Sequence, residues 1–169
     1  MIKLADKIYI GNSSDEQYID LVEFKIDGLL NVAKDLRGKY RWTTDIERAQ
    51  VGLIDGPGNI LSSYSAAVLV LYTLTDRCEG ILVFDHDGGR SLAIVVMYLS
   101  LRNGKTSSHP TILNHWAPWD VIFKEVCGHA VYSQSERKDD TGLTKIPKVH
   151  EAHKEAYDVM PFSLLESLI

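Results

Sequence analysis

The apolar run Gly80-Ile81-Leu82-Val83-Phe84 passes directly into Asp85-His86-Asp87-Gly88-Gly89-Arg90-Ser91, and no other stretch restricts the fold as tightly. A strand with one solvated face alternates in polarity, whereas one that is apolar at every position is covered on both faces, as at the centre of a parallel sheet. From Ser91 to Arg102 the chain is apolar nearly all round, which a helix tolerates only when most of its surface is buried, and Asn103-Gly104 supplies the stop. The junction therefore predicts a central strand, a tight glycine turn and a buried helix.

Similar units surround it. Lys7-Ile8-Tyr9-Ile10 reads as a strand closed by Gly11-Asn12, and Ser14 with Gln17 has the spacing of a capping box. Ile19, Val22 and Ile26 follow at helical intervals, with Gly28 expected as the left-handed stop. Leu29 to Ala33 and Val51 to Ile54 read as strands, the second ahead of the turn Asp55-Gly56-Pro57-Gly58. Ser62 and Ser63 are expected to cap a helix that carries Tyr64, Ala67, Val68, Leu71 and Tyr72 on one face and ends near Arg77. Beyond Gly104 the reading is a helix from Ile112 to Val126 interrupted at Pro118, an exposed charged loop from Ser133 to Leu143, and terminal helices over 149–159 and 162–168 split by Pro161. This order predicts an α/β fold, with a mostly parallel central sheet flanked by helices and extra C-terminal helices.

The 169 residues suit one domain, 1–169, with a substantial core. A composition 45% hydrophobic and 24% charged is that of a soluble globular chain. The net charge of -5 argues against general nucleic-acid affinity, and Trp42, Trp116 and Trp119 are scattered as packing residues are, not set out as a base-stacking platform. No apolar run reaches the roughly 18 residues of a membrane span, the opening MIKLADKIYIGN lacks a leader pattern, and Cys78 and Cys127 form no CxxC pair. A cytoplasmic, reducing setting is expected, with neither nucleic acid nor membrane as partner.

A glycine turn between a central strand and a buried helix is suited to anions, because turn N–H groups point inward and the helix dipole favours negative charge. Gly88 and Gly89 permit close backbone approach, the Arg90 guanidinium is a planar fork for two phosphate oxygens, and Ser91 adds a hydroxyl. His86 is placed to donate to the same group. The same pattern also serves as an ordinary strand-to-helix connection.

The segments IYIGN, LLNVAKDL, LIDGPGN, SSY and GRSLAIVVMYL occur in the order and approximate spacing of the dual-specificity protein phosphatase domain. The chain resembles that family over residues 7–104, with 105–169 as a C-terminal helical extension. The resemblance implies that Asp55 is the general acid of a mobile loop and that Arg90-Ser91 opens the helix behind the phosphate loop. In the family that loop is a cysteine, five residues and Arg-Ser; the thiolate attacks phosphorus while the arginine clamps its oxygens. This chain departs there. Counting back from Arg90 puts Phe84 at the cysteine position, whereas matching the family glycine to Gly88 puts Asp85 there in a loop one residue shorter. Cys78 and Cys127 lie outside the loop.

The resemblance thus implies a tyrosine-phosphatase-superfamily fold that binds a phosphoryl group between Asp85 and Ser91 without cysteine-based hydrolysis, a pseudophosphatase. Its expected partner is a phosphorylated protein or a small phosphate ester, with no cofactor. Asp85 and Asp87 bring negative charge to this loop; one such pair at ~4 Å costs about 4 kcal/mol at an effective dielectric of ~20. The acids point away, one is protonated, or a divalent cation separates them from the phosphate. The expectation is that one of them points away, since neighbouring residues in a turn rarely converge.

Two alternatives stay open. VFDHDGG also looks like the first motif of haloacid-dehalogenase-like phosphohydrolases, with Asp85 as nucleophile, Asp87 as acid/base and Mg²⁺ beside them; Ser133, Lys138, Asp139 and Asp140 are then the candidates for later motifs, although Gly89 replaces a threonine. A non-catalytic interaction module is the other. His150 and His153, with Glu151 and Glu155 nearby, read as a solvated helix face or a metal face.

Overall fold

The computed structural model describes residues 1–16, 18–37, 45–103, 116–133 and 142–169. Four parallel strands make up most of its sheet: β2 (Ile8–Asn12), β3 (Gly28–Ala33), β4 (Glu47–Leu53) and β5 (Ile81–Asp85), preceded in the chain by β1 (Ile2–Lys3). With β6 (Val131–Tyr132) the strand order is β4-β3-β5-β2-β1-β6. The β1 strand is antiparallel to both β2 and β6, so the sheet is mixed but mostly parallel. As its unbroken apolar sequence requires, β5 is buried at every position, with Val83 in register with Ile10 on one side and Leu30 on the other.

The two sheet faces differ. On one, α1 (Tyr18–Glu23) contributes Leu21 to a small cluster with Met1, Ile26, Leu29, Leu82 and Phe84. On the other lies the main core, formed with α2 (Leu61–Arg77), α3 (Gly89–Asn103), α4 (Trp119–Gly128), α5 (Glu151–Asp158) and α6 (Phe162–Ser167). Helix α3 touches α2, α4, α5 and α6, which explains why it is apolar all round. The C-terminal helices complete this core: Trp119 and Phe162 pack on Tyr157, and Trp116 packs on Phe162.

Several local expectations require correction. Helix α1 ends at Glu23, and the left-handed residue is Lys25 (φ 53°); Gly28 begins β3 instead. A Cβ on Gly28 would stand 2.9 Å from the Cys78 sulfur, so its role is close approach. Helix α2 starts at Leu61 with no side-chain cap, which leaves Ser62 and Ser63 inside the first turn. The N-cap position falls on Ile60, whose side chain has no acceptor, and the neighbouring Asn59 bonds Ile54 at both its N–H and its carbonyl. Strand β4 begins at Glu47, earlier than expected, and β1 and β6 were not anticipated. Of the helix expected over 112–126, α4 accounts for the part after Pro118; Gln17, Trp42, Lys138, Asp139, Asp140 and most of the charged loop lie outside the described residues.

Candidate functional site

Parallel pairing brings the carboxyl ends of β2, β3, β4 and β5 to one edge of the sheet, where ligand sites of such folds form. Asp85 is the last residue of β5 and is fully buried. Side chains alternate along a strand, and Phe84 goes to the small cluster on one face while Asp85 turns into the following loop. Its Oδ1 accepts a very short hydrogen bond from the Gly88 N–H. Its Oδ2 accepts from the N–H groups of Arg90 (2.7 Å) and Ser91 (3.2 Å) and from Arg90 Nε (3.4 Å). The amides at the start of α3 therefore converge on a carboxylate of the same chain.

Magnitudes make this arrangement self-consistent. Burying an ion costs several kcal/mol, and each hydrogen bond to a charged group returns roughly 1.5–3 kcal/mol, so three amides and a guanidinium offset a large part of it. Burial pushes the Asp85 carboxyl above its ordinary pKa, against the downward pull of the Gly88 N–H; the charge of Asp87 adds to the rise, and Arg90 and the Ser91 N–H oppose it.

The Arg90 side chain is 4% exposed and engaged at Nε and Nη1. Besides Asp85, its Nη1 donates to the Leu53 carbonyl at 2.8 Å and to Asp35 Oδ1 at 3.2 Å. Asp35, just past β3, also approaches His86 Nε2 at 3.1 Å. Its own backbone amide chiefly holds this carboxyl below its ordinary pKa, against slight desolvation, with Arg90 and His86 adding to the effect. His86 and Asp87 are exposed. Asp87 turns back so that its Oδ1 accepts from the Gly89 N–H at 3.0 Å. The two acids of the loop thus aim at different amides, Asp85 inward and Asp87 outward.

Gly88 and Gly89 do permit a close approach, and what approaches is the chain itself. Gly88 has φ +88°, and a Cβ there would meet the Leu143 side chain at 2.8 Å; one on Gly89 would meet the Lys148 carbonyl at 2.6 Å. Both glycines are buried under this downstream segment. The Ser91 hydroxyl is buried without a hydrogen-bond partner.

Asp55 belongs to the loop after β4, where Gly56 and Gly58 both have positive φ. Its Oδ1 lies 3.3 Å from His153 Nε2, and His153 Nδ1 lies 2.7 Å from the Tyr64 hydroxyl. Asn59 donates to the Tyr64 oxygen, so this network assigns the Tyr64 proton to Nδ1 and an N–H to Nε2. Burial lowers the pKa of His153, against the pull of Asp55. The expected solvated or metal-binding face at His150 and His153 is corrected here: His153 is completely buried and faces Tyr64 and Asp55, while His150 caps α5 by accepting from the Ala152 N–H.

Sequence reasoning missed Asp35, and it singled out His153 without its partnership with Tyr64 and Asp55. The LNVAKDL segment contained the signal for Asp35, a carboxylate just past a strand at the ligand edge; the only signal for His153 was its position on a helix. Cys78 precedes β5 and so lies at the far end of the strand from the loop, about 16 Å away at 3.3 Å per residue. Burial raises the pKa of both the Cys78 and Cys127 thiols, which disfavours the thiolate. Among the described residues, no three His, Cys, Asp or Glu side chains gather as a metal-binding group, and no helix is long and apolar enough to cross a membrane.

No family model matches the sequence, and no curated protein matches it significantly. Solved structures do match. DUSP15 superposes with a TM-score of 0.66 at 15% identity, covering 98% of this chain and 92% of its own. The Yvh1 phosphatase domain from Chaetomium thermophilum gives 0.65 at 15%, covering 93% and 91%. A human tyrosine phosphatase-like serine/threonine/tyrosine-interacting protein gives 0.57 at 15%, covering 76% and 83%. At such identities the likeness concerns architecture, and together with the sheet order and the strand-loop-helix unit at 81–103 it establishes that this chain has the fold of the dual-specificity phosphatases.

Proposed function

We propose that this chain is a pseudophosphatase, a dual-specificity-phosphatase fold that acts by binding and not by hydrolysing phosphate esters through a cysteine. One observation carries the reading: the side chain that leaves the end of β5 into the loop is a buried carboxylate bonded to the loop's own amides. Covalent phosphoryl transfer needs a nucleophile free to reach phosphorus. Asp85 has both oxygens turned to N–H donors, and Cys78 lies at the opposite end of β5 from the loop. The fold points to phosphorylated proteins or small phosphate esters as the ligand class, and Asp85 governs their access to the loop. One neighbour of similar architecture is described as an interacting protein, which accords with a binding role.

The divergent aim of Asp85 and Asp87 lends no support to the metal-dependent alternative. The deciding experiment is steady-state hydrolysis of an aryl phosphate by the wild-type protein, with and without Mg²⁺ or Mn²⁺. No turnover above buffer is expected in either condition. Metal-dependent turnover abolished by Asp85→Asn would replace this reading with the aspartate-nucleophile one, and metal-independent turnover sensitive to thiol alkylation would restore cysteine chemistry.

A further inference from the structure

We infer that Asp85 is a built-in occupant of an oxyanion site: its carboxylate holds the amides and the guanidinium that a tetrahedral oxyanion would otherwise take, and the site is latent while that side chain is in place. The inference rests on the pseudophosphatase reading and deepens it, since it specifies what keeps the loop closed.

Three observations on independent atoms support it. First, the Gly88, Arg90 and Ser91 N–H groups all converge on one carboxylate, with Arg90 Nε beside them. Amides converging at the start of a 15-residue helix, with a guanidinium in the same place, form an anion site by geometry, and here the anion is covalently supplied. Second, the fit is incomplete. A carboxylate has two oxygens, and the Ser91 hydroxyl, on the residue whose amide already meets Asp85, is left buried and unpartnered. Buried hydroxyls are ordinarily satisfied, so an orphan beside the cradle is what remains when a two-oxygen group occupies a place that suits one with more acceptors. Third, Arg90 Nη1 is held by the Leu53 carbonyl and Asp35, which fix the guanidinium in position. Pre-oriented donors need no reorganisation to receive a different anion.

External phosphate must displace a tethered carboxylate that is always at the site, and the two like charges cannot share it. Asp85 therefore acts as an intramolecular competitor, and removing its charge is expected to raise affinity for inorganic phosphate or orthovanadate on the order of a hundredfold or more.

The test compares wild type with Asp85→Ser, which removes the carboxylate, and with Asp85→Asn, which keeps its shape and is the safeguard should the serine variant fold poorly. Calorimetric titration with orthovanadate is paired with thermal unfolding against inorganic phosphate at constant ionic strength. Wild type should show no saturable binding to about 10 mM, whereas at least one variant should bind and rise in unfolding midpoint with phosphate, an effect lost when Arg90→Ala is added. Equal affinity in wild type and variants would overturn the occupant role, and absence of binding in both folded variants would overturn the latent site. Either result leaves the absence of cysteine-based hydrolysis intact if wild type does not turn over the aryl phosphate, the second also removing the phosphoryl ligand class; hydrolysis by wild type would remove the pseudophosphatase reading whatever the titrations show.

Discussion

The loops after β4 and β5 leave the same edge of the sheet and are tied together by Arg90, which bonds Leu53 in one and Asp85 in the other, yet they are built in opposite ways. The β5 loop is inward and closed: Asp85 is fully buried, its acceptors are matched to backbone donors, and residues 143–148 lie over its glycines. The β4 loop is outward and open. The Asp55 side chain is 42% exposed, Gly58 has nothing within 4 Å of where a Cβ would stand, and a relay from Tyr64 through His153 holds the loop. The contrast teaches that two loops leaving one sheet edge can be held in different ways, the β5 loop by a buried carboxylate on its own amides and the β4 loop by side chains from α2 and α5.

The largest test of that contrast is Arg90, the link between the loops. Replacing it with leucine leaves a buried Asp85 without its countercharge and the Leu53 carbonyl with the Lys34 N–H as its remaining donor. Breaking a buried charge pair from one side costs about 3–5 kcal/mol, and urea unfolding of Arg90→Leu should show a loss of that size. A change below about 1 kcal/mol would mean that the two loops are independent and that the amides alone hold Asp85.

Glycine replacements in the two loops sharpen the comparison further. Gly88→Ala combines a positive φ with a collision against Leu143 and Pro147, so strain and overpacking together should cost about 2–4 kcal/mol. Gly58→Ala carries the positive φ without the collision and should cost only about 1–2 kcal/mol. Equal losses by thermal unfolding would show that residues 143–148 do not cover the β5 loop in solution.

How far these loops were legible in the sequence depends on where each determinant lies. The central strand and buried helix could be read because their apolar runs are local and long. The strands β1 and β6 could not, since two residues carry no periodicity. For the loop, spacing identified Arg90, Ser91 and the glycines as parts of one turn, but the direction of the Asp85 side chain is a rotamer choice decided by the amides it meets. The expectation that one acid points away holds for Asp87, and Asp85 points in. The roles of Asp35 and His153 were hidden for another reason: their partners stand 55 and 98 residues away in the chain, at Arg90 and Asp55, and only the fold brings them together.

His153 carries the smallest effect and the most specific one. Losing its bonds to Tyr64 and Asp55 in His153→Gln should cost about 1–2 kcal/mol at neutral pH. Its pH dependence follows from burial. In the unfolded chain the imidazole titrates near its ordinary 6.5, and in the folded protein its pKa is lower, so between the two values the unfolded state takes up a proton that the folded state refuses. Wild-type stability should therefore fall as pH drops below about 6.5, with a slope from this group of up to about 1.4 kcal/mol per pH unit. Asp85 acts in the opposite sense: its raised folded pKa means stability from that group decreases as pH rises above its ordinary 3.8, toward the folded value. Subtracting the pH–stability curve of His153→Gln from that of wild type cancels Asp85 and leaves the imidazole alone. A difference that is flat from pH 7 to 5 would mean that this histidine is reached by solvent, and that the open loop is held by something other than the buried relay.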